Sequence, residues 1–247
     1  MIDVHCHLEY MKNAENVIKE IQKRMTAAIT SCAAIKDKDI TLRYAQEDKI
    51  FSCLGFHPEE VPRTSSKDIE DYIEFISLHK KDIVAVGEVG LDYYHTKKPQ
   101  RDETKFVFQM FVNLANDLKL PLVVHCRDAM KDTLKILEQA KGTVVIHHFS
   151  GNDEELKCAL ERGYWISLGT VICNSKARQE QIPKIPLEKI LLETDSPWND
   201  PFSKGLNNKP WNIAFSADII AKKKEVPVFQ VINQTTENAK KAFGLDI

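Results

Sequence analysis

No stretch of this sequence is apolar for long enough to span a membrane as a helix, and no basic and apolar leader precedes its first polar residues. The expected setting is therefore the cytoplasm, with no membrane association. Net charge is nearly absent as well. Lys and Arg number 34 against 36 Asp and Glu, a formal charge of −2. A basic field over the whole molecule is excluded, so an anionic substrate must be drawn by local charge or by metal. There is no Cys-x-x-Cys pair. The six cysteines are scattered, and Cys6, Cys32, Cys53 and Cys126 lie in apolar runs, which reads as reduced core thiols rather than a disulfide framework. Internal repeats, low-complexity tracts and Gly/Ser linkers are also missing, so the expectation is one domain over residues 1–247. What is present is ordinary for a globular protein: 43% hydrophobic and 28% charged residues, enough to bury a sizeable core.

The apolar residues come in short continuous runs that alternate with helical patterns. Strands are predicted at 2–6, 27–33, 50–55, 83–89, 122–126, 143–147, 165–169 and 190–193. Helices are predicted near 11–24, 37–48, 67–79, 101–118, 129–139, 154–162 and 176–181, with two closing helices at 213–224 and 228–243. In the first helix Val17, Ile18 and Ile21 share a side; in the long one Phe106, Met110, Leu114 and Leu118 fall in register. Continuous apolar strands alternating with helices predict a parallel sheet. Eight such units in about 250 residues predict a closed (β/α)8 TIM barrel, with a doubly wound open sheet as the alternative. The irregular segment 198–211 is expected to be a surface loop over the site.

In such a barrel the functional residues collect at the carboxyl ends of the strands. Those ends carry His5 and His7, then His57, then Glu88 and Asp92, then His125 with Arg127, then His147 and His148, and finally Asp195. His5 and His7 stand two apart in a strand, so their imidazoles project to the same face. Each residue alone could be a satisfied core group or a loop residue. Together on one rim they point to a metal site. The donors outnumber what one tetrahedral ion takes and suit two metals sharing a carboxylate, with Glu88, mid-barrel, as the natural bridge.

The ordered motifs Asp-Val-His-Cys-His-Leu at 3–8, Gly-Phe-His-Pro at 55–58, Gly-Glu-Val-Gly-Leu-Asp-Tyr at 87–93, Leu-Pro-Leu-Val-Val-His-Cys-Arg-Asp-Ala at 120–129, His-His-Phe-Ser-Gly at 147–151 and Leu-Leu-Glu-Thr-Asp-Ser-Pro-Trp at 191–198 span the chain. In them the sequence resembles the TatD family of metal-dependent deoxyribonucleases, within the metal-dependent hydrolase superfamily of barrels. The resemblance implies that His5, His7, Glu88 and Asp195 hold one divalent ion and Glu88, His125 and His147 the other. It implies that Asp195 activates the attacking water, that His57 reaches the scissile phosphate, and that Asp92 and Arg127 support the ligands. For Arg127 a purely structural salt bridge is the alternative.

Two departures from the family pattern stand out. His147 is followed by a second histidine; alignment to Phe149-Ser150-Gly151 favours His147 as ligand and puts His148 on a loop or the outer face. The arginine-rich segment the family often carries after the last strand is here Ser-Lys-Gly-Leu-Asn-Asn-Lys-Pro at 203–210, leaving Lys204, Asn208 and Lys209 as expected substrate contacts. Lys97, Lys98 and Arg101 could track a nucleic-acid backbone, and Phe56, Tyr93, Tyr94, Trp198 and Trp211 could stack on bases, with loop packing as the alternative. The ion identity, magnesium, manganese or zinc, is open on the donor set. The leading expectation is a monomeric 3′–5′ exonuclease acting on DNA. The alternatives are a D-aminoacyl-tRNA deacylase or other ester or amide hydrolase, and a metal-binding protein without catalysis, against which the presence of both Asp195 and His57 counts.

Overall fold

The computed structural model describes residues 1–247. Eight strands follow one another around a barrel: β1 (Ile2–Cys6), β2 (Ala27–Cys32), β3 (Ile50–Phe56), β4 (Ala85–Asp92), β5 (Leu122–Arg127), β6 (Val144–Ile146), β7 (Trp165–Leu168) and β8 (Ile190–Leu192). Their spatial order is the sequence order, and each neighbouring pair is parallel. The seam between β8 and β1 is closed just past the strands. Asp195 N donates to His5 O at 2.9 Å and His7 N to Ser196 O at 2.8 Å. Thr194 N adds a 3.0 Å bond to the buried carboxylate of Asp3. The (β/α)8 barrel expected from the alternation is the fold observed.

The helices are α1 (Ala14–Arg24), α2 (Lys38–Tyr44), α3 (Ser66–Leu78), α4 (Arg101–Leu118), α5 (Met130–Ile136), α6 (Asp153–Glu161), α7 (Lys176–Gln181), α8 (Ile213–Lys224) and α9 (Val228–Phe243). Local sequence starts several of them. Ser65 caps α3 by accepting from Asp68 N, and Asn152 with Glu155 forms a reciprocal capping box on α6. Val17, Ile18 and Ile21 of α1 are buried as the periodicity predicts. For α4 the expected register holds in part: Leu114 is buried and Met110 and Leu118 pack against the core, but Phe106 is 68% exposed, and the buried stripe also takes Val107, Phe108, Phe111 and Ala115. A helix this rich in apolar residues supports more than one stripe, and packing on β4 selects the fuller one.

Every strand contributes to an apolar plug inside the barrel, including Ile2, Ile29, Val123, Val145 and Leu191, and the end of α9 adds Phe243 to it. A second, larger cluster fills the space between strands and helices. On β5 and β6 the inward positions after Val123 and Val145 of the plug are His125 and His147, and the polar side chains begin there.

Two strands reach the rim by losing step with their neighbours. β1 advances from Asp3 to Cys6 while β2 advances only from Ala28 to Thr30. β4 advances from Val86 to Val89 while β5 advances from Leu122 to Val124. Each carries an extra residue, and one extra residue exchanges the faces of all that follow. Strict alternation from Ala85 would turn Glu88 outward; with the bulge it turns inward. Backbones press together around this irregularity. A Cβ on Gly55 would lie 2.3 Å from the carbonyl carbon of Gly87, and one on Gly90, whose φ is +152°, would lie 1.9 Å from His125 O. Only glycine fits either position.

Candidate metal centre

Four imidazoles and two carboxylates converge on the barrel axis. His5 and His7 leave the bulged end of β1, Glu88 the bulge of β4, His125 the end of β5, and His147 and Asp195 the residues just past β6 and β8. Glu88 stands among them with its two oxygens divided. Oε1 lies 3.5 Å from His7 Nε2; Oε2 lies 3.0 Å from His147 Nε2, 3.5 Å from His125 Nδ1 and 3.7 Å from His5 Nε2. Asp195 Oδ1 faces His7 Nε2 at 3.4 Å and His5 Nε2 at 3.9 Å. Two ring nitrogens, His5 Nε2 and His7 Nε2, are 3.1 Å apart. His125 Nδ1 and His147 Nε2 are 3.2 Å apart. Nitrogens that close, each also facing a carboxylate, match two ligands bonded at roughly 2.0–2.1 Å to a shared cation. The donor set therefore fits divalent metal held around Glu88.

Outer partners fix which nitrogen of three of the rings points inward. His7 Nδ1 contacts Glu9 Oε1 at 3.2 Å, and Glu9 in turn accepts from Thr30 Oγ1 at 3.1 Å. His125 Nε2 contacts Asp92 Oδ2 at 3.1 Å. His147 Nδ1 faces Glu193 Oε1 at 3.5 Å, while Ser167 Oγ donates to Glu193 Oε2 at 2.6 Å. A carboxylate behind His7, His125 and His147 favours the tautomer that leaves a lone pair for a cation, whereas His5 Nδ1 is buried without a partner. Burial alone would raise the Glu88 carboxyl, but the imidazoles of His5, His147 and His125 hold it well below the usual carboxylate range. Burial likewise opposes charge on His7 and His147, yet their carboxylate neighbours raise both imidazoles well above the ordinary value.

His57 stands beside this cluster, its ring 4.4 Å from that of His125. Burial and the nearby His125 pull its imidazole down to about 3, so it is neutral. Its Nδ1 accepts from Glu59 N at 3.3 Å, which leaves the ring proton on Nε2 as a donor. Asp92 also takes the backbone N–H of His95 at 2.8 Å and its Nδ1 at 3.0 Å. The group His57, Glu59, Asp92 and His95 extends the polar floor on the β3–β4 side.

The residues expected to hold metal, His5, His7, Glu88, His125, His147 and Asp195, come together. His57 and Asp92 join them, and Arg127 lines the same cavity of about 620 Å³. Arg127 makes no salt bridge; its guanidinium lies 3.8 Å over the ring of Tyr94. The expectation for Asn208 needs correction, and that for His148 in part. His148 lies in the turn after β6, as expected of a loop residue, but not on the outer face: at φ +48° its ring turns into the cavity, with Nδ1 3.5 Å from Glu193 Oε1 and 4.0 Å from Asp195 Oδ2. Asn208 is fully buried and serves the fold, since its Nδ2 reaches Thr170 Oγ1, Thr194 O and Asn199 O at 2.9–3.2 Å. Lys204 and Lys209 do not line the cavity either. Among the basic residues expected to track a backbone, Arg101 is engaged by Tyr93 O at 3.1 Å and its ring at 3.9 Å. Glu9, Glu193, His95 and Arg178 were missed. Glu193 carried a signal, a charge directly after an apolar strand; Arg178 carried none.

Comparison with known proteins agrees with this geometry. The model of the family described as TatD related DNase matches residues 2–244. The chain is 32% identical to the human protein named deoxyribonuclease TATDN3, over 98% of this chain and 94% of that one. It is 30% identical to the Bacillus subtilis uncharacterized metal-dependent hydrolase YabD, over the full length of both. Among solved structures, the Escherichia coli TatD homolog YJJV superposes with a TM-score of 0.87 at 22% identity, covering 99% of this chain and 98% of that one. A dihydroorotase shares the fold more distantly, with a TM-score of 0.65 at 13% identity, over 99% of this chain and 71% of that one.

Proposed function

The chain belongs to the TatD related DNase family and is a metal-dependent hydrolase acting on ester bonds, and from that premise we propose that it is a deoxyribonuclease removing nucleotides from the 3′ end of DNA. The observation that carries this reading is the convergence of four imidazoles and Asp195 around Glu88. His5, His7 and Asp195 would share one divalent ion with it, and His125 and His147 a second. Ions so placed, magnesium, manganese or zinc, neutralise charge on a phosphoryl group and lower the pKa of water.

The remaining roles fall to the chain's own residues. Asp195 takes the proton of the attacking water; Asn199 Nδ2 donates to its Oδ2 at 2.8 Å and fixes the carboxylate plane. His57, neutral with its proton on Nε2, donates to a non-bridging phosphoryl oxygen without adding a second positive charge near the ions. Trp198 and Tyr10 form an aromatic wall, their rings 5.3 Å apart and both about one-third exposed, on which the terminal base can rest. Stacking on such a wall accepts any base, so the cleavage should have little sequence preference.

The test is turnover of an end-labelled single-stranded oligonucleotide by metal-stripped protein, with and without magnesium, manganese or zinc. Stepwise shortening from the 3′ end should require added metal. Asp195→Asn should lower kcat by roughly 10²–10⁴-fold, the usual contribution of a general base. Full activity of that variant would overturn the role of Asp195. Absence of cleavage, with hydrolysis of an aminoacyl-tRNA ester instead, would move the assignment to carbonyl chemistry.

A further inference from the structure

The cavity is lined by five carboxylates, Glu59, Glu60, Glu88, Asp92 and Asp195, and by only two fixed cations, Arg127 and Arg178. Arg127 is exposed and stacked on Tyr94. Arg178 is different. It comes from α7, is half-buried, and its Nη1 donates to the carbonyl of Phe149, two residues past His147. Its backbone N–H is held by the Ser175 side chain at 3.5 Å. No carboxylate lies within 4.0 Å of the guanidinium, and Nε and Nη2 donate to nothing in the protein.

A half-buried cation with no contact ion pair, which only the buried Glu193 carboxylate supports from a distance, is costly. Burial also makes the charge harder to keep and lowers its pKa. An uncharged amide can also donate to Phe149 O, so that bond by itself does not require the charge. A planar guanidinium with a free edge is the donor pattern that matches two phosphate oxygens. Its position also bears on which phosphate. It comes from α7, after β7, and holds the carbonyl of Phe149, just past β6, with neither Glu88 nor Asp195 within 4.0 Å, so it stands beside the donor cluster rather than within it.

We propose that Arg178 is a substrate-binding residue that takes the non-bridging oxygens of the backbone phosphate next to the one being cleaved. This rests on the nuclease reading, and it supplies a phosphate contact that Lys204 and Lys209 do not make from the cavity wall. A substrate with a single phosphodiester has no such neighbour, so Arg178 separates long substrates from short ones.

The test compares two substrates in manganese-loaded protein: a labelled single-stranded oligonucleotide and thymidine 5′-p-nitrophenyl phosphate. Arg178→Gln keeps a donor for Phe149 O and removes the charge; Arg178→Lys restores a charge without the fork. In Arg178→Gln the ratio of kcat/KM for the oligonucleotide to that for the small ester should fall about tenfold or more, mainly through KM. The slope of log kcat/KM against log salt on the oligonucleotide should become shallower by about 0.7, the value for one contact to a single strand. Arg178→Lys should recover part of both. An unchanged ratio in Arg178→Gln overturns the assignment. Equal losses on both substrates also overturn it, because the residue would then act on the reacting phosphate or on the fold. Wild-type protein that turns over neither substrate defeats the nuclease reading itself, and that outcome is seen before any substitution is made.

Discussion

His147 and His148 are adjacent, and the backbone separates what they can do. His147 continues the inward alternation of β6 and meets Glu88 Oε2 at 3.0 Å; His148, at φ +48°, reaches the cavity only because the chain turns there. His147→Ala should therefore lose one equivalent of bound metal, read by mass spectrometry of the metal-loaded protein. His148→Ala should keep full metal content and lower kcat instead, since its Nδ1 faces Glu193 and Asp195 rather than Glu88. The reverse pattern would exchange their roles. Glu193 is a sharper case because it touches no candidate ion position. It is fully buried, receives Ser167 Oγ, and faces Nδ1 of both histidines. Glu193→Gln should weaken metal affinity by roughly 10–100-fold, the usual effect of losing the carboxylate behind a ligating imidazole. Titration calorimetry giving wild-type affinity would show that Glu193 only fills space.

At the scale of elements, α4 offers a clean test of where the stabilising surface lies. Phe111 is fully buried and stacks on Phe56 of β3 with ring centroids 6.1 Å apart. Phe111→Ala should cost about 3–5 kcal/mol in denaturant unfolding, and Phe106→Ala, on the exposed side, less than about 0.5 kcal/mol. Similar losses at the two positions would mean that the helix packs on its other face. The same helix shows where the sequence was legible and where it was not. Its extent, 101–118, was readable from composition and period, as were all eight strands, because length and apolar density survive any rotation about the axis. The buried face was legible only in part, because Phe106, Phe108, Met110 and Phe111 are chemically equivalent until β4 chooses among them. The bulges were hidden for a related reason. The inward turn of Glu88 depends on one unpaired residue opposite β5, and strand pairing is not written in β4 alone. The candidate ligands could nevertheless be named, because a charged or imidazole residue closing an apolar run is costly wherever it points. Asn208 was misread because a polar residue in a loop looks the same whether it faces a substrate or pins the segment after β8 to Thr194 and Asn199.

Over the whole molecule the donor cluster couples cation binding to folding, and pH sets the sign. In the protein without metal, His7 and His147 face carboxylates and have raised imidazole pKa values, although burial opposes this. A raised folded-state value contributes stability that is complete below the unfolded value, near 6.5, and is lost as pH rises through the folded one. Stripped protein should therefore lose stability as pH rises from about 6.5. Cation binding has the opposite demand, since each imidazole must give up its proton before ligating. At about a thousandfold excess of free ion over Kd, loading adds about 4 kcal/mol, which for a chain of this size corresponds to roughly 8–16 °C in Tm. The difference in Tm between manganese-loaded and chelator-treated protein should thus be smallest near pH 6 and widen steadily toward pH 8. Calorimetric scans across that range, repeated with Glu88→Gln, would check it. The variant removes the group shared by both halves of the cluster, so most of the metal-dependent gain should vanish at every pH. A gap that narrowed with rising pH would mean that the cation binds through oxygen donors alone and that the histidines stand aside.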